Sequence, residues 1–229
     1  MRVETAETVE ATAARAAAWI ADRAGEAVAA RGQFTLAVSG GSTPWLMLRV
    51  LAGLALPWSV VHVFQVDERV APAGDVDRNW TQLHGVFDRL SPPPHLHPMP
   101  VESEDGARAC DEYRGRLEAV AGRPPVVDVV HLGLGADGHT ASLVPGDPLL
   151  EQEADTAPAV AMSIVYQGRP RMTLTLPVIN RARHVLWVVT GESKRTMLSR
   201  LRGGDRAIPA GRVRGERATV FADRAAAGV

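Results

Sequence analysis

The sequence has a single cysteine, Cys110, so no intrachain disulfide can form, and neither a thiolate metal cluster nor a CxxC redox pair is available. Aromatic residues are scarce at 5%, which leaves Val, Leu and Ala to fill the core. Neither sign of charge is in excess, with 25 Lys and Arg against 26 Asp and Glu. No global field therefore recruits nucleic acid or an anionic membrane, and an anionic ligand must find a local basic site. No apolar run approaches the roughly 18 residues needed to span a bilayer. The most hydrophobic stretch, Val126 to Leu134, is broken by Asp128 and His131. Glu4, Glu7 and Glu10 precede an alanine-rich stretch, in place of the basic head and apolar run of a secretory signal. These absences predict a soluble, cytoplasmic protein that meets its ligand in a pocket.

What is present is the length and composition of one globular α/β domain, residues 1–229, with 46% hydrophobic and 22% charged residues. Apolar spacing predicts a helix from about Thr5 to Ala30, closed by Gly32, and then a strand at Phe34 to Val38. The alternation continues with a helix after Thr43, a strand at Val60 to Val66, a helix from Asn79, a helix near Glu104 to Val120 and a strand at Val126 to Leu132. Further strands are expected at Arg171 to Leu176, Val185 to Val189 and Ala218 to Phe221, with a helix from Glu192 to Leu201. The Pro-rich stretch Ser91 to Pro100 reads as a surface loop. Helices alternating with short β-branched runs predict a three-layer αβα, Rossmann-like fold: a mostly parallel sheet with helices on both faces.

In such sheets ligands bind at the carboxyl ends of the strands. Three of those ends are loaded with functional groups. Ser39-Gly-Gly-Ser-Thr-Pro44 offers Gly40 and Gly41 for close backbone approach, hydroxyls at Ser42 and Thr43, and Pro44 in the first turn of a helix whose positive end attracts phosphate. The same letters also make an ordinary capped turn. Asp67-Glu-Arg69 follows the second strand. Gly133-Leu-Gly-Ala-Asp-Gly-His139 follows another and places His139 two residues after Asp137, so that a carboxylate can orient an imidazole able to act as a base. Gly133, Gly135 and Gly138 also satisfy GxGxxG, with Glu151 and Glu153 beyond as ribose binders. That fingerprint needs a long helix, which Pro145 and Gly146 interrupt. The remaining histidines show no metal-ligand spacing, and although Asp67, Asp137 and His139 could converge, nothing in the sequence demands a metal. Arg171 and Lys194 open later elements, where cations can reach an anion.

The ordered blocks SGGSTP, VDERVAP with Asn79 following, HLGLGADGHTASLVPG, RMTLTLPVIN and VVTGESK, with Ile208-Pro-Ala210 and Val220-Phe-Ala-Asp223, resemble the 6-phosphogluconolactonase family over most of the chain. The resemblance implies hydrolysis of 6-phospho-D-glucono-1,5-lactone without a cofactor. His139 would be the general base, Asp137 its orienting partner, Arg69 or glycine-loop N–H groups the oxyanion donors, and Gly40 to Thr43, Arg171 and Lys194 the phosphate ligands. The expected partner is a small sugar-phosphate lactone, with no nucleic acid and no membrane. Related glucosamine-6-phosphate deaminases carry a second acidic residue beyond the Asp-Gly-His triplet, where this chain reads Ser142-Leu-Val-Pro145, so a proton-relay participant is missing. Two further readings remain: a sugar-phosphate isomerase or deaminase with Asp67 as proton shuttle, and a non-catalytic sugar-phosphate sensor. Arg78 and Trp80 depart from the family's usual Ser before Asn and Tyr or Phe after it, which places an extra guanidinium at the pocket's border.

Overall fold

Runs such as Phe34-Thr-Leu-Ala-Val38, buried along their whole length, belong in the middle of a sheet covered on both sides. The structure is a computed structural model that describes residues 1–152 and 156–229. In chain order its elements are β1 (Arg2–Ala6), α1 (Val9–Arg31), β2 (Phe34–Val38), α2 (Ser42–Ala52), β3 (Val61–Gln65), β4 (Asp67–Arg69), α3 (Asn79–Phe87), β5 (His95–His97), α4 (Gly106–Ala121), β6 (Val129–Leu132), β7 (Val160–Tyr166), β8 (Arg169–Leu174), α5 (Leu176–Arg181), β9 (His184–Val189), α6 (Arg195–Arg202), β10 (Ala218–Asp223) and α7 (Arg224–Ala227).

Seven strands pair in parallel in the order β1-β10-β9-β6-β2-β3-β5. Side-chain alternation sends their residues to two cores. Leu36, Val38, Val129 and Leu186 pack with Ile20 of α1 and Met47 and Leu48 of α2. Ala37, Val130, Leu132 and Trp187 pack with Tyr113 and Leu117 of α4 and Leu198 and Leu201 of α6. The three-layer αβα arrangement expected from the alternating pattern is present. No described helix is long and apolar enough to cross a membrane.

Four local expectations are corrected. The helix predicted from Thr5 begins only at Val9, capped by the Thr8 hydroxyl, which accepts from the Ala11 N–H at 3.1 Å. Residues Arg2–Ala6 instead form an edge strand on β10. Inside the Pro-rich loop, His95–His97 adds β5 to the other edge, where His62 pairs with His95. The predicted strand Arg171 to Leu176 runs from Arg169 to Leu174, outside the parallel sheet. It is the centre of a second, antiparallel sheet, β4-β8-β7, whose outer strands the sequence pattern did not announce. Asp-Glu-Arg has little strand propensity of its own, and pairing with β8 holds it extended. Finally, the helix predicted over Glu192 to Leu201 divides into a 3₁₀ turn, Glu192–Lys194, and α6.

His131 lies in β6 with no solvent exposure and with no hydrogen-bond partner for either ring nitrogen among the described residues. Burial lowers its pKa from 6.5 to about 3. The folded state therefore holds the neutral ring while the unfolded chain binds a proton below about pH 6.5, so stability falls as pH drops from 6.5 toward 3. By pH 4.5 the loss from this residue is about 3 kcal/mol. Replacing His131→Leu removes both the unpartnered polar atoms and the titration. The variant should match or exceed the wild type at pH 7 and resist acid better. A melting temperature that falls between pH 7 and 4.5 as steeply as the wild type's would contradict this account.

Candidate active site

The carboxyl ends of β2 and β6 open onto a cavity of about 370 Å³ that brings together residues from segments far apart in the chain. Ser39, Gly40 and Gly41 come from the turn after β2, Asp67 and Arg69 from β4, Gly135 and His139 from the loop after β6, Tyr166 and Arg171 from the β7-β8 hairpin, and Lys194 from the turn after β9. A larger cavity of about 530 Å³, lined by Val126, Val185 and Arg217 among others, lies at the opposite ends of the strands. It holds neither histidine nor a glycine-rich turn.

The loop after β6 is a tight coil rather than the opening of a helix, and the next helical turn is Pro148–Leu150. The dinucleotide reading therefore lacks the helix N-terminus that would face a pyrophosphate. Of its acidic candidates, Glu151 instead pairs with Arg212 at 2.9 Å, and Glu153 lies outside the described residues. The glycines serve a different end. A Cβ at Gly135 would stand 2.1 Å from His139 Nδ1 and 2.6 Å from Asp137 Oδ1, so only glycine leaves room for that pair. At Gly138, φ is +84° and a Cβ would strike Ile208. The Ala210 N–H donates to the Gly138 carbonyl at 3.0 Å, so the Ile208–Ala210 segment braces the loop.

Asp137 and His139 are joined by a 2.6 Å contact between Oδ1 and Nδ1, and the same oxygen accepts the His139 backbone N–H at 3.1 Å. Burial pushes the Asp137 carboxyl up, but the His139 N–H, the imidazole and the Tyr166 hydroxyl together hold it below its ordinary value. With Nδ1 engaged, Nε2 is the nitrogen left to accept a proton.

Arg69 and Arg171 are register partners across β4 and β8. Like charges directly opposite each other destabilise a sheet pair unless an anion sits between them. Neither forms an ion pair among the described residues. Arg69 donates to the Asp77 carbonyl, and Arg171 to Gln167 Oε1 at 3.0 Å. Arg171 is only 5% exposed. Burial lowers its pKa; nearby Asp67 opposes the shift and Arg69 adds to it. This electropositive, partly desolvated wall suits a phosphate.

The remaining anion-binding candidates line an adjoining cavity of about 350 Å³ that shares Gly40, Gly41 and Lys194 with the first. Ser42 and Thr43 form the first turn of α2, where backbone N–H groups have no intrahelical acceptor. The Thr43 hydroxyl contacts that of Thr190 at 2.6 Å. Lys194 is the chain's sole lysine among 25 basic residues. That bias toward arginine elsewhere is a signal the sequence reading passed over, because a compact ammonium and a planar guanidinium bind phosphate differently. The turn carrying Lys194 is pinned by Asp223, both of whose oxygens accept the Gly191 N–H, at 3.1 and 3.0 Å.

Asp67 is 6% exposed and accepts the Ser142 hydroxyl at 2.6 Å. The Ser142 hydroxyl, a neutral donor in the stretch Ser142-Leu-Val-Pro145, is thereby already occupied. Arg78 is corrected as well. It lines neither cavity but is buried against Glu68, 3.8 Å away, and Glu102. Trp80 also lies off the cavity and packs near His84. Glu68, which drew no attention in the sequence, is fully buried and accepts the backbone N–H groups of Arg69, Asn79 and Trp80 and the Gln65 amide. It caps α3 from β4, since Arg78 at the N-cap position has no capping side chain. Among the described residues, no three His, Cys, Asp or Glu side chains are grouped to hold a metal ion.

A family model described as glucosamine-6-phosphate isomerases/6-phosphogluconolactonase matches residues 7–221. The chain belongs to this family. A 6-phosphogluconolactonase from Synechocystis is 39% identical over 193 residues, covering 82% of this chain and 79% of the relative, and one from Nostoc is 35% identical over 87% and 84%. Among solved structures, a 6-phosphogluconolactonase from Shewanella baltica superimposes with a TM-score of 0.86 at 26% identity over 97% of each chain. The enzyme from Trypanosoma brucei gives 0.85 at 26% identity, over 99% of this chain and 97% of that one. A monomeric glucosamine-6-phosphate deaminase is also similar, with a TM-score of 0.78, but at 20% identity it shares the fold alone.

Proposed function

We propose that the chain is a cytoplasmic, single-domain 6-phosphogluconolactonase that hydrolyses 6-phospho-D-glucono-1,5-lactone to 6-phosphogluconate without a metal or cofactor. The observation that carries this reading is His139, bound through Nδ1 by Asp137, on the wall of a cavity that also holds two opposed guanidiniums and the only lysine. The names of the Synechocystis and Nostoc relatives support the same substrate.

In this mechanism His139 Nε2 takes a proton from water as the water oxygen attacks lactone C1. The carbonyl electron pair moves onto oxygen, and Arg69 or glycine-loop N–H groups stabilise the resulting oxyanion. Asp137 remains ionised and stabilises the imidazolium. When the intermediate collapses, the C1 to ring-oxygen bond breaks and the imidazolium returns its proton to the departing oxygen. Phosphate binding by Gly40, Gly41, Ser42, Thr43, Arg171 and Lys194 at the other end of the substrate holds C1 in reach.

Fresh phosphorylated lactone and plain glucono-1,5-lactone, each corrected for spontaneous hydrolysis, test the assignment. The phosphorylated substrate should be strongly preferred. Arg171→Ala and Lys194→Ala should each lower kcat/KM for it about 10–100-fold, the worth of one charge-assisted contact, while barely changing the plain lactone. Equal use of the two lactones by the wild type would rule out the phosphate site. Ammonia release from glucosamine 6-phosphate would identify a deaminase instead.

A further inference from the structure

Tyr166 ends β7 at the rim of the cavity, in a segment that carried no sequence signal. It is held there firmly. Gln167 and Gly168, with φ of +52° and +78°, form the tight turn into β8, and Tyr166 pairs in register with Arg169. Arg169 in turn binds Asp75 at 3.1 Å and Asp77 at 3.2 Å, which ties the tip of the hairpin to the loop before α3.

Three contacts radiate from the Tyr166 side chain. Its hydroxyl donates to Asp137 Oδ2 at 3.1 Å, leaving Oδ1 to His139. Its ring meets the His139 imidazole edge-on, with centroids 5.2 Å apart and planes at 64°. The Arg171 guanidinium lies over the ring, 5.2 Å from its centroid. We propose that Tyr166 is a positioning residue for the lactonase reaction, its hydroxyl fixing the second oxygen of Asp137 while its ring links the base His139 to the anion-binding Arg171. This inference rests on the function proposed above and goes beyond it by adding a residue and a route between the two ends of the site.

The physical reasons are separable. A carboxylate held through one oxygen turns freely about its broad terminal torsion, whereas a donor on the second oxygen fixes its plane and so the imidazole it orients. Burial and the adjacent Asp137 charge both raise the phenol pKa above its ordinary value, which keeps the hydroxyl a donor. An anion held by Arg171 also steadies the guanidinium over the ring, so binding at the phosphate end supports the geometry at the reacting end.

Tyr166→Phe keeps the ring and removes only the donor. For 6-phosphogluconolactone the variant should lose about 10-fold in kcat with KM within twofold. Tyr166→Leu, which also removes the ring, should in addition raise KM for the phosphorylated lactone. In a His139→Asn background, Tyr166→Phe should cause no further loss, because its effect passes through the missing imidazole. An unchanged kcat in Tyr166→Phe, or a full second loss in the His139→Asn background, would overturn the inference while leaving the lactonase reading intact. A wild-type protein that does not hydrolyse the lactone would overturn both.

Discussion

Replacing His139 with Asn should lower the turnover number for 6-phosphogluconolactone by roughly 10²–10⁴, the usual worth of general-base assistance. Asn keeps a polar side chain of similar reach and still fits beside Gly135, whose missing Cβ makes room for the loop. Substrate binding through the arginine pair and Lys194 should therefore survive, with KM little changed. Full turnover in that variant would place the base elsewhere, with Asp67 the next carboxylate on the cavity wall.

The second large effect is expected on stability. Glu68→Ala removes a fully buried carboxylate that accepts four hydrogen bonds of 2.7–2.8 Å, from Gln65, Arg69, Asn79 and Trp80. It also leaves the 2%-exposed Arg78 with Glu102, itself half exposed, as its remaining ion-pair partner among the described residues. Breaking a buried pair in this way costs about 3–5 kcal/mol, because a charge stays in the interior uncompensated. At this chain length that corresponds to a fall in Tm on the order of 10 °C. Adding Arg78→Met to Glu68→Ala removes the stranded guanidinium and should recover part of the loss, which separates desolvation from lost hydrogen bonding. An unfolding free energy for Glu68→Ala within 1 kcal/mol of the wild type would show that the cap and the ion pair carry no weight.

The consequences of Glu68 reach the active site. The backbone N–H groups that donate to it place Arg69 on the cavity wall and start α3 at Asn79, whose side-chain amide donates to the Asp67 carbonyl at 3.0 Å. Asn79 also fills the space where a Gly40 side chain would stand, with its Oδ1 2.0 Å from that Cβ position. The Asp-Glu-Arg block thus contains one residue that lines the cavity on each side of one that does not. The sequence drew attention to Asp67 and Arg69 and not to Glu68, because a buried acceptor leaves no trace in local spacing.

The sequence by itself determined the alternation of helices and buried strands, and it placed the glycine-rich turns and the Asp137–His139 pair at strand ends. Those features depend on periodicity, on the conformational freedom of glycine and on separations of a few residues, all of which are local. Only the tertiary structure decided the second sheet. That sheet sets Arg69 opposite Arg171, brings Tyr166 onto Asp137 and holds a charged tripeptide extended against its own propensity. The edge strands β1 and β5 and the cap of α3 by Glu68 were decided in the same way. Each requires hydrogen bonds between segments far apart in the chain, and the energy of such a pairing is fixed by which partner is present, a quantity that no single stretch of residues contains.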